Sequence, residues 1–365
     1  MLPSASWSTP SAPERPELLA RKSTRRPQRG EPLRIVVIGG GTGLSSLLKG
    51  LKRYSASAPA PELIPPVDIS AVVTVTDDGG SSGRLRRDFE VLPPGDIRNC
   101  MAALAEDESL LTRLFQHRFS GGRGLKGHSF GNLFLTALTQ VTGDFSHAVR
   151  LSTEVLASAG RIFPSTAANV TLRAHLADGR IVDGETNISR STSAIQRIEL
   201  VPHRCDPLSE TLEAIRQADL ITMGPGSLYT SVIPNLLVRG IAQAIRRSGA
   251  LTACLVNLMW QPGETTGMRA SDHVQAILDH AGRGLIDFAV VNTAAIGAPQ
   301  KRHYAHALAL PVENDLEGLR SLAVNVVGAD LLSRGEKVRH DPDRTAALVV
   351  QLAKKGRRRR LRTAL

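Results

Sequence analysis

Along the chain, short apolar runs alternate with longer stretches in which leucines recur at helical spacing. Arg34 to Ile38 is one such run, and Leu44 to Tyr54 follow with leucines on one helix face, so strand, glycine loop and helix are predicted in that order. A connection rich in Pro, Ala and Ser (Ser55 to Pro66) leads to a second buried strand over Ile69 to Thr76. Residues 97–157 are predicted mainly helical, interrupted by the glycine-rich stretch Gly121 to Gly131, with Asp96 placed to cap the first helix. Between Asn169 and Val201 the pattern turns to β, and Asp178-Gly179 predicts a hairpin turn between Val170–Leu176 and Arg180–Val182. Further strands are predicted at Leu220 to Met223, Ala253 to Asn257, Asp287 to Asn292 and Leu322 to Val327. Such alternation implies an α/β protein with a largely parallel sheet, helices on both faces and a small β-hairpin excursion.

Parallel sheets bind ligands outside the carboxyl ends of their strands. The polar loops after Ile38, Thr76, Met223 and Asn257 all lie at such ends, so neighbouring strands would bring them to one crevice. Gly39-Gly40-Gly41-Thr42-Gly43 lets backbone approach phosphate, with the following helix N-terminus supplying N–H donors. As a dinucleotide fingerprint it is imperfect, because Leu44 stands where the third glycine belongs and the acidic residue at the expected distance, Glu62, lies in the Pro/Ala connection. No Gly-Lys-Ser/Thr follows, which excludes a P-loop. Tight packing alone is the competing reading of this turn.

Asp77 and Asp78 at a strand end suit a divalent cation such as magnesium, a sugar hydroxyl or general-base work, and equally the capping of a turn. Ser81, Ser82 and Gly83 suit an anion-binding nest, to which Arg84 adds charge. Gly127-His128-Ser129-Phe130-Gly131 matches the spacing of a nucleophile elbow, but the strand it requires does not precede it, so hydrolysis by Ser129 is discounted and His128 is retained as a binding candidate. Gly224-Pro225-Gly226-Ser227 is a second phosphate-loop candidate, with Tyr229 available for stacking. Asn257, Gln261 and Glu264 suit a base or sugar, or the bracing of their own loop; Arg339-His340-Asp341 either returns to the crevice or forms a surface cluster.

Charge changes the picture less than its size suggests. The formal net charge is +11, of which residues 1–34 carry +4 and residues 354–365 carry +7, leaving the intervening chain neutral. We therefore read residues 1–33 as a disordered basic arm, 34–353 as a single domain, and 354–365 as a solvated basic tail with Lys354, Lys355, Arg357 to Arg360 and Arg362 available to an acidic partner. The longest apolar runs, such as 71–75 and 346–350, fall far short of the ~20 residues that span a bilayer. Cys100, Cys205 and Cys254 form no C-x-x-C pair, so neither a zinc site nor a disulfide framework is expected, in keeping with a reducing cytoplasm.

Six motifs occur in order: G-G-G-T-G (39–43), T-D-D-G-G-S-S-G-R-L-R (76–86), P-P-G-D-I-R-N (93–99), G-H-S-F-G-N (127–132), G-P-G-S-L-Y-T-S-V-I-P-N (224–235) and N-L-M-W-Q-P-G-E-T (257–265). From about Leu33 to Val350 the chain resembles the YvcK-type gluconeogenesis factor family, related to the CofD-type 2-phospho-L-lactate transferases. The resemblance implies a Rossmann-like core and a cytoplasmic factor needed for gluconeogenic growth and normal cell shape, with cell-wall synthesis proteins as partners and a homo-oligomeric state. It also implies binding of UDP-sugars, notably UDP-N-acetylglucosamine, with no settled catalytic activity. Carried onto this chain, the ligand residues are Gly40, Gly41, Thr42, Gly43, Asp77, Asp78, Ser81, Ser82, Arg84, Asp96, Asn99, His128, Asn132, Gly224, Gly226, Ser227, Tyr229, Asn257, Tyr304 and Arg339. The alternative is a transferase of phosphorus-containing groups in which Asp77 or Asp78 binds magnesium at a nucleotide diphosphate.

Overall fold

A computed structural model describes residues 31–58, 65–105, 110–305 and 309–363. Seven strands form one parallel sheet in the order β10-β9-β8-β7-β1-β2-β3, and β5-β4-β6 form a separate antiparallel sheet. The strands are β1 (Leu33–Gly39), β2 (Val67–Val73), β3 (Arg161–Pro164), β4 (Thr171–Leu176), β5 (Ile181–Asp183), β6 (Ile195–Val201), β7 (Leu220–Met223), β8 (Leu251–Leu255), β9 (Phe288–Asn292) and β10 (Asn325–Ala329).

Central strands covered on both faces need apolar residues at every position rather than alternately. β1, β2, β7 and β8 meet this: Ile35, Val37, Ile38, Ile69, Ala71, Val72, Ile221, Met223 and Ala253 are all fully buried. From β1 the chain winds outward through β2 to β3, then returns to β7 on the other side of β1 and winds outward to β10. The reversal between β1 and β7 is a topological switch point, where the loops on either side diverge and leave a crevice.

The hairpin predicted at Asp178-Gly179 is present, with Arg173, Ala174 and His175 paired to Asp183, Val182 and Ile181, and β6 completes it into three strands. The edge strand β3 is not predicted by the sequence pattern. It is four residues long, begins on an exposed Arg161 and ends on Pro164, so it carries no alternation to recognise. Gly80 to Gly83, read as the end of the polar loop after Thr76, instead open a helix (Gly80–Phe89).

The reading of residues 354–365 as a solvated tail is corrected over 354–363, the last two residues lying outside the described ones. Residues 342–363 form one helix, Pro342–Thr363, which lies along the opening helix Gly41–Lys52 and against β1, β7 and β8. Ala346, Val349, Val350 and Ala353 bury one face of it. A turn later, Arg357 reaches the fully buried Asp219 through two hydrogen bonds, Nε to Oδ1 at 2.9 Å and Nη2 to Oδ2 at 2.6 Å. Arg360 Nη1 joins them, donating to the Ala218 carbonyl at 2.9 Å and to Asp219 Oδ1 at 3.4 Å. Asp219 also accepts the Arg34 N–H at 2.9 Å, which ties the starts of β1 and β7 together. Arg359 pairs with Asp287, and Lys355 sits over the Phe288 ring at 4.5 Å. The basic run is thus in large part a docking element.

The arm read over 1–33 lies outside the described residues save its last three, where the Glu31 and Pro32 carbonyls accept from Arg357. The three cysteines are buried and unbridged. Among the described residues no helix is long and apolar enough to cross a membrane.

Candidate functional site

β1 ends on Gly39, and Gly40 is extended as the N-cap of the helix Gly41–Lys52. Gly41 has φ +64, and a methyl group added to it would touch nothing, so glycine there serves the turn itself. Gly40 and Gly43 answer to their neighbours instead. A β-carbon on Gly40 would lie 2.5 Å from Asp96 Oδ2, and one on Gly43 would lie 2.5 Å from the Pro225 carbonyl oxygen. One on Gly226 would lie 3.2 Å from the Gly40 carbonyl oxygen. The loops after β1 and β7 are therefore in backbone contact across the switch point.

Further bonds hold these loops. Asn235 Nδ2 donates to the Gly39 carbonyl at 3.1 Å and the Ser231 carbonyl at 2.7 Å. Asn257 Nδ2 donates to Gln261 Oε1 at 3.1 Å, and Gln261 Nε2 donates to Ser227 Oγ at 2.7 Å, linking the ends of β8 and β7. After β7 the chain makes a π-helical turn, Leu228–Val232, a rare conformation often found at functional sites.

Gly40, Gly41, Thr42, Gly43, Gly226, Ser227, Asn257, Tyr304 and Arg339 line one cavity of about 250 Å³, together with Ser46, Trp260, Gln261 and His340. Tyr304 arrives from the helix Ala298–Ala305, and its hydroxyl oxygen accepts the Val338 N–H at 3.1 Å, setting the segment that carries Arg339. Burial pushes the His340 imidazole down to about 4, so it is neutral at physiological pH.

The loop after β2 forms an adjoining wall. Asp77 Oδ1 accepts the Gly79 N–H at 2.9 Å, and Asp77 Oδ2 lies 2.8 Å from where a Gly95 β-carbon would be. Asp78 Oδ1 accepts from both the backbone N–H and hydroxyl of Thr186, at 2.9 and 2.6 Å. This brings in Glu185, on the short helix Glu185–Ile188 of the small sheet, which sequence reasoning missed. Burial first, then Asp77, Asp96 and other carboxylates, pushes the Glu185 carboxyl up to about 9. Burial and Asp77 push Asp96 up to about 6. Carboxyls raised this far by desolvation and like charge mark the crevice wall as a place able to hold or release a proton near neutral pH. Among the described residues no three His, Cys, Asp or Glu side chains converge as a metal-holding group. Asp78 is committed to Thr186, so magnesium would depend on Asp77 and on oxygens brought by a ligand.

The buried Ser81, His128 and Asn132 meet at the first turn of the helix Gly80–Phe89. Asn132 Nδ2 donates to Ser81 Oγ at 3.1 Å, and Ser81 Oγ is 2.9 Å from His128 Nδ1, within hydrogen-bond distance. Burial and Arg84 lower the His128 pKa, consistent with a neutral ring. Ser129 is fully buried and N-caps the helix Phe130–Thr142 by accepting the Asn132 N–H at 3.3 Å, a structural role.

Three candidates are placed elsewhere. Arg84 Nη2 donates to the Lys126 carbonyl at 2.9 Å and clasps the glycine-rich loop. Asn99 accepts from Arg98 at 2.6 Å and faces a neighbouring cleft. Tyr229 is turned by the π-helical segment into the interior, edge-on to His280 with ring centroids 6.0 Å apart. Glu264 lies beneath it, fixed by the Tyr229 N–H at 3.3 Å and the Thr230 hydroxyl at 3.1 Å, so it braces the loop.

A parallel sheet with two interlocked glycine loops at its strand-order reversal defines an α/β protein with a crevice at its topological switch point, where such sheets bind ligands. The chain belongs to the CofD family: the family model described as 2-phospho-L-lactate transferase CofD matches residues 35–332. Within it the chain is similar to the gluconeogenesis factor of Bacillus subtilis (strain 168), 46% identical over 326 residues that cover 89% of this chain and 99% of that protein. A putative gluconeogenesis factor of Nostoc is 49% identical over 330 residues, covering 90% of this chain and 70% of its own. A crystal structure of a Bacillus halodurans protein superimposes with a TM-score of 0.83 at 45% identity, covering 88% of this chain and 100% of that one.

Proposed function

We propose that the crevice binds a nucleotide sugar, UDP-N-acetylglucosamine, and that the chain is a cytoplasmic regulatory factor required for gluconeogenic growth and, through cell-wall synthesis, for cell shape. The reading is carried by the contact between Gly43 and the Pro225 carbonyl, which sets two phosphate-type loops side by side at the N-terminus of the helix Gly41–Lys52. A diphosphate needs that concentration of backbone N–H groups. The amides and hydroxyls of Asn257, Gln261, Ser227 and Tyr304 around the same cavity suit a base and a hexose. The gluconeogenesis factor names of relatives at 46–49% identity support the physiological role. Calorimetric titration with UDP-N-acetylglucosamine tests the reading, and absence of heat at millimolar ligand overturns it.

One observation favours a second reading, a transferase of phosphorus-containing groups. Asp96 at about 6 and Glu185 at about 9 stand beside Asp77 on the crevice wall, where magnesium bound to a ligand diphosphate would relieve their mutual repulsion. Release of nucleotide from an activated donor in the presence of magnesium, lost in Asp77→Asn, would support turnover. Release unchanged in that variant would remove Asp77 from it.

A further inference from the structure

Next to the glycine crevice lies a larger cleft of about 840 Å³, formed between the helices Gly41–Lys52, Gly95–Leu104 and Leu110–Gln116. Among the described residues Lys49, Arg98, Arg113 and Arg339 line it, and no carboxylate does. Among the described residues Lys49, Arg113 and Arg339 make no ion pair, unlike Arg34, Arg53, Arg161, Arg173, Arg344 and Arg357. Arg98 donates through Nη2 to Asn99, while its Nε is buried and without a partner among the described residues. Burial, with Arg118 next, lowers the Arg98 pKa against the opposing pull of Asp96 and Asp77 on its crevice side.

Four cations converge there in a fold whose central 35–353 stretch is neutral, Arg98 alone being drawn also toward Asp96 and Asp77, and a concave wall focuses their field. The donors of the cleft outnumber its acceptors, and Ala102 and Ala103 give it a small apolar floor. Its volume suits a metabolite-sized molecule. We propose that this cleft is a second anion site, which takes a small molecule bearing at least two phosphate or carboxylate groups. It shares Thr42, Ser46 and Arg339 with the glycine crevice, so its occupant would lie beside the nucleotide ligand rather than in its place.

Tripolyphosphate and citrate, titrated separately into the full chain by calorimetry at low salt, separate the phosphate and carboxylate forms of the proposal. At least one is expected to bind one to one, and to remain bound when UDP-N-acetylglucosamine is saturating. Lys49 and Arg113 are exposed and line this cleft but not the glycine crevice, so the Lys49→Ala/Arg113→Ala double variant should fold. It is expected to weaken the anion about tenfold or more, since charge-assisted hydrogen bonds are lost, and to change UDP-N-acetylglucosamine affinity by less than about twofold. Absence of binding by either anion, or a double variant that binds as the parent does, overturns the proposal. So does displacement by the nucleotide sugar, which would place the probe in the glycine crevice. Anion binding and its loss in the double variant are read without nucleotide present, so failure of the nucleotide-sugar reading leaves those two arms of the test intact.

Discussion

Replacing Gly43 by alanine tests the crevice at its narrowest point. The added methyl carbon would stand 2.5 Å from the Pro225 carbonyl oxygen, 2.7 Å from its carbon and 2.9 Å from the Gly226 nitrogen. These are backbone atoms with no rotamer to yield, so the two loops must separate by roughly 0.5–1 Å to restore ordinary contact distances of about 3.5 Å. Overpacking of this kind costs about 1–3 kcal/mol of stability. The loss in binding should be larger than the strain alone suggests, because a shift of about 1 Å misaligns every N–H that the proposed reading aims at a diphosphate. Each charge-assisted bond weakened is worth about 1.5–3 kcal/mol, so a 10- to 100-fold loss of UDP-N-acetylglucosamine affinity is expected. Calorimetric titration reads the affinity and thermal unfolding reads the strain. Gly39→Ala is the control, since its methyl meets nothing closer than 3.8 Å and should leave binding within about twofold. If Gly43→Ala binds as tightly as the parent while Gly39→Ala does also, the ligand does not sit where the two loops meet.

Asp219→Ala should destabilise the protein by about 3–5 kcal/mol in urea unfolding, because Arg357 and Arg360 would lose the buried carboxylate they share; a change below about 1 kcal/mol would mean that the helix end is not anchored there. Ser129→Ala removes an N-cap and should cost about 1 kcal/mol while leaving nucleotide-sugar affinity unchanged, and a loss of binding would contradict its purely structural place. Glu185 and Asp96 are raised in the folded state, so the native protein holds protons that the unfolded chain releases, and stability should fall as pH rises. The window runs from about 4 to about 6 for Asp96 and from about 4.5 to about 9 for Glu185. Melting temperatures measured from pH 5 to 9 should therefore decline, and Glu185→Gln should flatten the decline; an unaltered slope would place Glu185 in solvent.

The strands of the central sheet are legible because two-sided burial writes them as continuous apolar runs: the pattern marks Leu220–Met223 to the residue, and β1 and β9 to within one at each end. The loops at their carboxyl ends are legible for the same reason, since punctuation by glycine and aspartate at a strand end survives without any knowledge of tertiary structure. Glu185 is not, because it belongs to the small sheet and reaches the crevice only through the bond between Thr186 and Asp78, 108 residues apart. Tyr229 is misplaced by the sequence because adjacency to Gly226 and Ser227 does not reveal the π-helical turn that rotates its ring inward. Charge alone makes the basic run from Lys354 look like a tail. Its periodicity carries the answer, since Val349, Val350, Ala353, Arg357 and Arg360 share one helix face, and long arginine stems bury readily when a carboxylate waits beneath them.

The interlock of the loops after β1 and β7, with the Asn257–Gln261–Ser227 bridge beside it, bears on how binding could be sensed elsewhere. Walls fixed in this way are preorganised: a ligand entering them orders no loop and surrenders little of its binding energy to conformational entropy. They are also poor messengers, since a wall that does not move cannot report that it is occupied. Any signal passed to a partner must then come from the ligand's own exposed groups or from the rim, where Tyr304 and the Val338–Arg339 segment meet through a hydrogen bond. On the proposed nucleotide-sugar reading, a recognition surface for a partner would thus be composite, part protein and part ligand.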